Sequence, residues 1–257
     1  MDILLIGSGN TATVLGRKSL AAGHRIVQVY SRQEDHASRL GRQLNSAYTS
    51  RLSSMEKKAD LMIVALRDEA IAPFLAAVGT VQFPVAHTAG SVSIESVSHS
   101  GEIYGVLYPL QSLRREIDQI PPITMLVDGN SMESRDFFLR FANTIADKVI
   151  IADDAMRLKY HLAATLVNNF TNYLFTLAEE FCKKENISFT VLQPLMEETV
   201  LRLRNTSPGN AQTGPAIRRD ILTLTRHRQI IQNDPALSRF YELFTQEIQN
   251  SSINLKT

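Results

Sequence analysis

The sequence predicts an α/β chain in two parts: an open, doubly wound sheet with helices on both faces over residues 1–153, then an all-α part over 154–257. Three observations carry that prediction. An apolar strand, Asp2 to Ile6, runs straight into a glycine turn, Gly7-Ser8-Gly9-Asn10-Thr11-Ala12, and a helical stretch follows it. Strand-sized apolar runs then alternate with helical ones as far as Ala152, as repeated β-α-β units require. Beyond Asp153 the strand signals stop, and the rest reads as helices.

The elements follow in order. The first helix reaches Ala22 and is ended by Gly23-His24, after which Arg25 to Arg32 gives the second strand. Gln33 to Gln43 is a polar helix, and Ala47-Tyr48-Thr49 a short third strand. Asp60 to Leu66 is apolar throughout after its first residue, as a parallel strand covered on both faces should be, and Arg67-Asp68-Glu69 starts another helix. Val81 to His87 gives a fifth strand and Tyr104 to Leu107 a sixth. Ile123 to Asp128, a helix over Ser131 to Ala146, and Lys148 to Ala152 extend the sheet. Right-handed crossovers would place a ligand at the carboxyl ends of the strands. The helical part reads as Asp154 to Lys184, Thr190 to Asn205, Ala216 to Gln232 and Pro235 to Gln249.

The glycine turn has the pattern Gly-x-Gly-x-x-Ala of a dinucleotide-binding fingerprint. Gly7 would make the tight turn, Gly9 would let backbone approach a pyrophosphate, and Ala12 would let helix and strand pack closely. Ser8, Asn10 and Thr11 complete the phosphate cradle, at the positive end of the first helix. About 20 residues beyond the glycines an NAD site carries an Asp or Glu for the ribose 2′-hydroxyl. Here that place holds Ser31 and Arg32, a hydroxyl beside a guanidinium, which suits a 2′-phosphate. The cofactor reading is therefore NADP rather than NAD, with Ala65, Leu66 and Arg67 lining the adenosine ribose.

Composition removes other classes. With 27 basic and 26 acidic residues, a net charge of +1 gives no field for nucleic acid or an anionic membrane. No apolar run reaches membrane-spanning length, and nothing before the first strand reads as a leader. A single cysteine, Cys182, cannot form an internal disulfide, so a reducing cytoplasm is the expected setting. His24, His36, His99 and His227 show no metal-ligand spacing, so no metal is expected. No phosphate loop of the ATPase kind appears.

The first helix of the second part would run about 45 Å at roughly 1.5 Å per residue, too long for one small domain to cover. From Tyr160 to Ala178 it carries no Asp, Glu, Lys or Arg. His161, Thr165, Asn168 or Asn169, Asn172 and Thr176 recur at helical spacing as one uncharged polar stripe. Such a stripe serves either a ligand cleft or hydrogen bonds across a helical interface, and a homodimer through these helices is expected.

With those motifs, together with His87-Thr88-Ala89-Gly90-Ser91, Leu107-Tyr108-Pro109-Leu110-Gln111, Asn169-Phe170 and Gln212-Thr213-Gly214-Pro215-Ala216, the chain resembles the Rossmann-like proteins carrying DUF2520, a C-terminal domain of unknown function. That family is similar to pyrroline-5-carboxylate reductases, deazaflavin-dependent NADP oxidoreductases and 6-phosphogluconate or β-hydroxyacid dehydrogenases. The resemblance implies an NADP-dependent oxidoreductase whose long-helix domain docks by dimerisation. Where the wider superfamily has a Lys-x-x-x-Asn pair, Lys159 is followed by Ala163, so the dehydrogenase lysine does not carry over.

Hydride transfer asks of a protein a dry pocket, a held carbonyl or imine and a proton source. His161 is the candidate source, with Asn169 orienting the substrate and Thr165 holding ligand or ring; the plainer role for a histidine in a buried helix is a packed, hydrogen-bonded one. His87, ending a buried strand, either touches cofactor or substrate or caps its loop. Arg218 and Arg219, after a loop in which Pro215 would enter the helix, could clamp a substrate carboxylate or phosphate, or pair with Asp220. The expected activity is hydride transfer between NADP and a small carbonyl, imine or hydroxy compound; the alternative is an NADP-binding sensor without turnover, for which the missing lysine leaves room. A nucleotide-dependent methyltransferase fits less well, because Ser31-Arg32 stands where such enzymes commonly want an acid.

Overall fold

The structure, a computed structural model, describes residues 1–254, with side chains as far as Ser251. The strands are β1 (Asp2–Ile6), β2 (Arg25–Tyr30), β3 (Ala47–Thr49), β4 (Leu61–Val64), β5 (Val85–His87), β6 (Tyr104–Leu110), β7 (Thr124–Gly129) and β8 (Lys148–Ile151). Between them lie α1 (Asn10–Ala21), α2 (Glu34–Gln43), α3 (Asp68–Val78) and α4 (Met132–Ile145). All eight strands form one sheet in the order β3-β2-β1-β4-β5-β6-β7-β8. Neighbours from β3 to β6 are parallel, β7 runs antiparallel to β6, and β8 is parallel to β7. The order reverses between β1 and β4, which makes that edge the topological switch point.

Alternation along the apolar strands feeds two cores. Ile3, Leu5, Leu61 and Ile63 face one side with Val14 and Leu15 of α1 and Phe138 and Phe141 of α4. Leu4, Ile6, Met62 and Val64 face the other with Ile71 and Leu75 of α3. Burying each such side chain contributes about 1.5–3 kcal/mol, which is why Ile3 to Ile6 and Leu61 to Val64 are apolar on both faces.

Two strands depart from the sequence reading for reasons of backbone chemistry. The fifth starts at Val85 rather than Val81, because Pro84 has no N–H to give the ladder; its carbonyl still accepts from the Met62 N–H at 2.8 Å. The sixth runs on to Leu110, past the end of β5 at His87, because β7 pairs with it as far as Leu110 opposite Thr124. Its last residues therefore project beyond the carboxyl edge of the neighbouring strand.

The helix that follows the sheet is α5 (Asp154–Ala164), a π-helical stretch (Thr165–Phe170) and α6 (Thr171–Lys184), without interruption. The compact units divide within it, after Phe170, and not near residue 153. The reason is that α5 is tied to the sheet unit. Asp153 caps it by accepting from the Met156 N–H, Asp154 accepts from the Ile94 N–H at 3.0 Å, and Arg157 donates to the Val92 carbonyl. The lack of charge from Tyr160 to Ala178 is not explained by burial within the chain: Leu162, Val167 and Phe170 are all more than half exposed.

The second unit, Thr171 onward, contains α6, α7 (Gln193–Arg202), α8 (Pro208–Ala211), α9 (Ile221–Ile231) and α10 (Pro235–Asn254). Leu177, Cys182, Leu224 and Ile231 are buried in it, Tyr173 packs edge-on to Phe240, and His227 Nδ1 is hydrogen-bonded to the Tyr241 hydroxyl at 2.8 Å. The helix predicted from Ala216 begins only at Ile221. Asp220 caps it through the Thr223 N–H, and Arg219 before it has φ +53°, which no helix allows. Pro215 therefore enters a turn, not a helix. No helix among the described residues is long and apolar enough to cross a membrane.

Candidate cofactor and substrate site

The glycine turn is built for an anion. Gly7 has φ +111°, and a Cβ there would lie 2.2 Å from the Ala65 carbonyl oxygen, so the β1 turn can pass the β4 loop only as glycine. Above Gly9 a Cβ would meet nothing within 4 Å, which leaves the backbone open to approach. Ala12 is fully buried against the sheet. The amino end of α1 has no side-chain cap and no acidic residue in its first turn, whereas α2 and α3 each begin with two acids. Its first N–H groups and its dipole are thus uncompensated by the chain itself.

The end of β2 adjoins this turn. The Ser31 hydroxyl is 2.9 Å from that of Ser8, largely buried, and so steadies the glycine loop, while Arg32 is exposed beside it. Ala65 donates its N–H to Ile6, Leu66 packs into the core below, and Arg67 stands exposed at the start of α3. Asn10 Oδ1 lies 3.5 Å from the Arg115 N–H, and Arg17 donates to the carbonyls of Ile117 and Asp118, so the loop after β6 is laced to α1. These residues fit a dinucleotide carrying an additional phosphate.

On the same carboxyl edge, the overhanging end of β6 and the helix α5 with its π-helical stretch enclose a cleft of about 540 Å³. Tyr108 and His161 line it, joined by a 2.9 Å hydrogen bond between phenol oxygen and Nδ1, with the rings edge to face. Burial pushes the Tyr108 phenol above its ordinary pKa; Asp68 adds to this and Arg157 opposes it, so the group keeps its proton. The pair is backed by Gly90, where a Cβ would lie 2.9 Å from both His161 Nδ1 and the Tyr108 ring. Thr165, Asn168 and Asn169 reach the cleft from the π-helical stretch, a wider turn that is frequent at functional sites. The Thr165 hydroxyl donates to the His161 carbonyl at 3.0 Å and not to its ring.

The structure distinguishes the two roles open for His87 and adds two residues. The His87 ring is fully buried, and its Nδ1 accepts from the Ala89 N–H at 3.2 Å, which is the loop-capping role. Desolvation, then the charge of Arg157, depress its pKa to about 4. Its Nε2 has no hydrogen-bond partner, the Ser93 backbone exerting only a weak pull without bonding geometry. Tyr108, read from sequence only within a motif, is the direct partner of His161. Arg157 is 1% exposed, pairs with Asp154 at 2.6 Å within α5, and donates to the Val92 carbonyl, which pins α5 to the loop after β5. Its place in a helix rich in polar residues hid it, since an arginine there reads as solvated. Arg218 and Arg219 belong to the second unit, where Asp220 spends its carboxylate on capping α9.

A crevice of this kind, with an uncapped glycine turn at the switch point of a doubly wound sheet, defines a dinucleotide-binding protein. Residues 2–85 match the family described as NADP oxidoreductase, coenzyme F420-dependent, and residues 123–248 match the domain of unknown function DUF2520. The chain is similar, at 37% identity, to the "putative NADP oxidoreductase BF3122" of Bacteroides fragilis, with 97% of this chain and 98% of that one covered and a TM-score of 0.90. It belongs to the same family, in which an NADP-oxidoreductase domain precedes DUF2520. The fold is also that of 1-pyrroline-5-carboxylate reductase from Streptococcus pyogenes, at 14% identity, 97% and 98% coverage and a TM-score of 0.62. An imine reductase from Myxococcus stipitatus, solved with NADP+, shares it at 13% identity, 98% and 94% coverage and a TM-score of 0.65. A comparison with curated proteins finds no match.

Proposed function

We propose that this chain is an NADP-dependent reductase or dehydrogenase acting on a small carbonyl, imine or hydroxy compound. The observation that carries the reading is the hydrogen-bonded Tyr108–His161 pair, opening on a cleft at the same sheet edge as the uncapped end of α1. When bound, the reduced nicotinamide supplies the hydride. The residues from Gly7 to Ala12 hold the pyrophosphate against backbone N–H groups, and Arg32 pairs with the 2′-phosphate while Ser31 braces the turn. Ala65, Leu66 and Arg67 line the ribose.

The proton comes from the chain. A Tyr108 phenol that burial keeps protonated gives its proton to the substrate oxygen or nitrogen as negative charge develops there. His161 Nδ1, at 2.9 Å, then returns a proton to the phenolate, passing on one taken up by its ring from solvent. Asn169 orients the reacting group through its carboxamide. This division of labour replaces the lysine that the resemblance to dehydrogenases would otherwise ask for.

The same proposal includes a homodimer through the helical region. Leu162, Val167 and Phe170 are each more than half exposed within the uncharged stretch of the long helix, apolar surface that a second copy would cover. A cytoplasmic setting accords with the single thiol, Cys182, held reduced and buried. The test is a panel of ketones, ketoacids and cyclic imines incubated with NADPH and followed by loss of reduced-cofactor absorbance. Turnover of one class supports the reading; NADPH binding without turnover of any would favour a sensor.

A further inference from the structure

Resting on that reading, we infer that the cleft takes a substrate that is uncharged where it is held: a neutral ketone, or a cyclic imine that arrives unprotonated and without a carboxylate. None of the twelve described residues lining the cleft is Asp, Glu, Lys or Arg. Its polar equipment is the hydroxyls of Tyr108, Ser112, Tyr160 and Thr165, the carboxamides of Gln111, Asn168 and Asn169, and one titratable ring, His161, whose Nδ1 is engaged by Tyr108.

The buried cation nearby does not change this. Arg157 acts on Tyr108 electrostatically, but it is not among the lining residues and its guanidinium is closed off from solvent, Nη2 donating to the Val92 carbonyl and the Asp154 carboxylate while Nε and Nη1 are buried without a partner among the described residues. A carboxylate entering the cleft would lose water without gaining a fixed counter-charge, since His161, the titratable residue of the lining, has its Nδ1 engaged by Tyr108. The nearest carboxylate that acts on Tyr108, Asp68, is exposed at the start of α3 and accepts from the Ser91 hydroxyl, outside the lining, so an iminium ion would find no anion among the described lining residues either. Carboxamides and hydroxyls, by contrast, satisfy a carbonyl or imine nitrogen without a charge mismatch.

The experiment compares two non-reacting rings that differ only in a carboxylate, pyrrolidinone and pyroglutamate. Each is titrated into the full chain with and without NADP+, and binding is read from NMR shifts of the protein at neutral pH. Pyrrolidinone is expected to bind at least about tenfold more tightly and to move the Tyr108 and His161 signals. Val167→Arg, which plants a cation in the lining, should shift the preference toward pyroglutamate. Equal or tighter binding of pyroglutamate to the unaltered chain overturns the inference, and its loss in Arg218→Ala, Arg219→Ala would hand the substrate role to that pair. Binding of neither ring overturns it as well. Failure of NADP+ to bind, seen in the same samples, sinks the proposed function separately and leaves the ring comparison to stand or fall on its own.

Discussion

Replacing His87 by asparagine removes a buried titrating ring from the end of β5 while Oδ1, in the place of Nδ1, keeps an acceptor for the Ala89 N–H. Desolvation first, and the charge of Arg157 second, hold the native ring at about 4 against an ordinary 6.5, with Asp154, Asp68 and the Ser93 backbone pulling the other way. Because the folded pKa is depressed, the unfolded chain binds the extra proton between these values. The contribution to stability is therefore complete above 6.5 and is lost as pH falls toward 4. From His87 alone the loss is about 2 kcal/mol by pH 5 and about 3 kcal/mol near pH 4. Urea unfolding of both proteins across this range, followed by circular dichroism, isolates the effect as a difference in slope, since every other group titrates in both. An NMR titration of the His87 ring gives the midpoint directly. Parallel stability curves, or a ring midpoint near 6.5, would refute the argument from burial.

Two glycines give sharper expectations. Gly7→Ala places a Cβ 2.2 Å from the Ala65 carbonyl oxygen at φ +111°, so thermal denaturation should show a loss of roughly 3 kcal/mol or more, and an unchanged melting temperature would mean that the turn is not held as described. Gly90→Ala puts a Cβ 2.9 Å from both rings of the Tyr108–His161 pair. Turnover of the substrate found in the panel should fall about 100-fold, the scale of a lost general acid, with NADPH affinity kept; steady-state rates beside a cofactor titration check both halves, and full activity would separate the pair from the chemistry.

Most of the sheet was legible because its signals are local. The apolar runs of β1 and β4 and the glycine turn between β1 and α1 admit few readings, and the observed strand order places them at the switch point. What the sequence concealed depends on contacts made at long range. Nothing near Tyr108 announces that His161, 53 residues later, will lie at hydrogen-bond distance, and nothing near Arg157 announces a buried guanidinium bound to Val92. The π-helical stretch escaped because Thr165 to Phe170 contains no glycine or proline to mark a change of helical pitch. The role of His87 stayed open between ligand and loop for a different reason. Strand ends at a carboxyl edge usually face the ligand, but here the ring turns inward and its own loop closes over it.

Every functional step above requires an anionic dinucleotide on the amino end of α1 with its extra phosphate on Arg32. Calorimetric titration of NADPH and NADH into the wild-type chain and into Arg32→Ala tests it most directly. NADPH should bind the wild type at least about tenfold more tightly than NADH, and the substitution should remove that preference while leaving NADH affinity in place. Equal affinities in the wild type, or an equal loss of both cofactors in the variant, would contradict it.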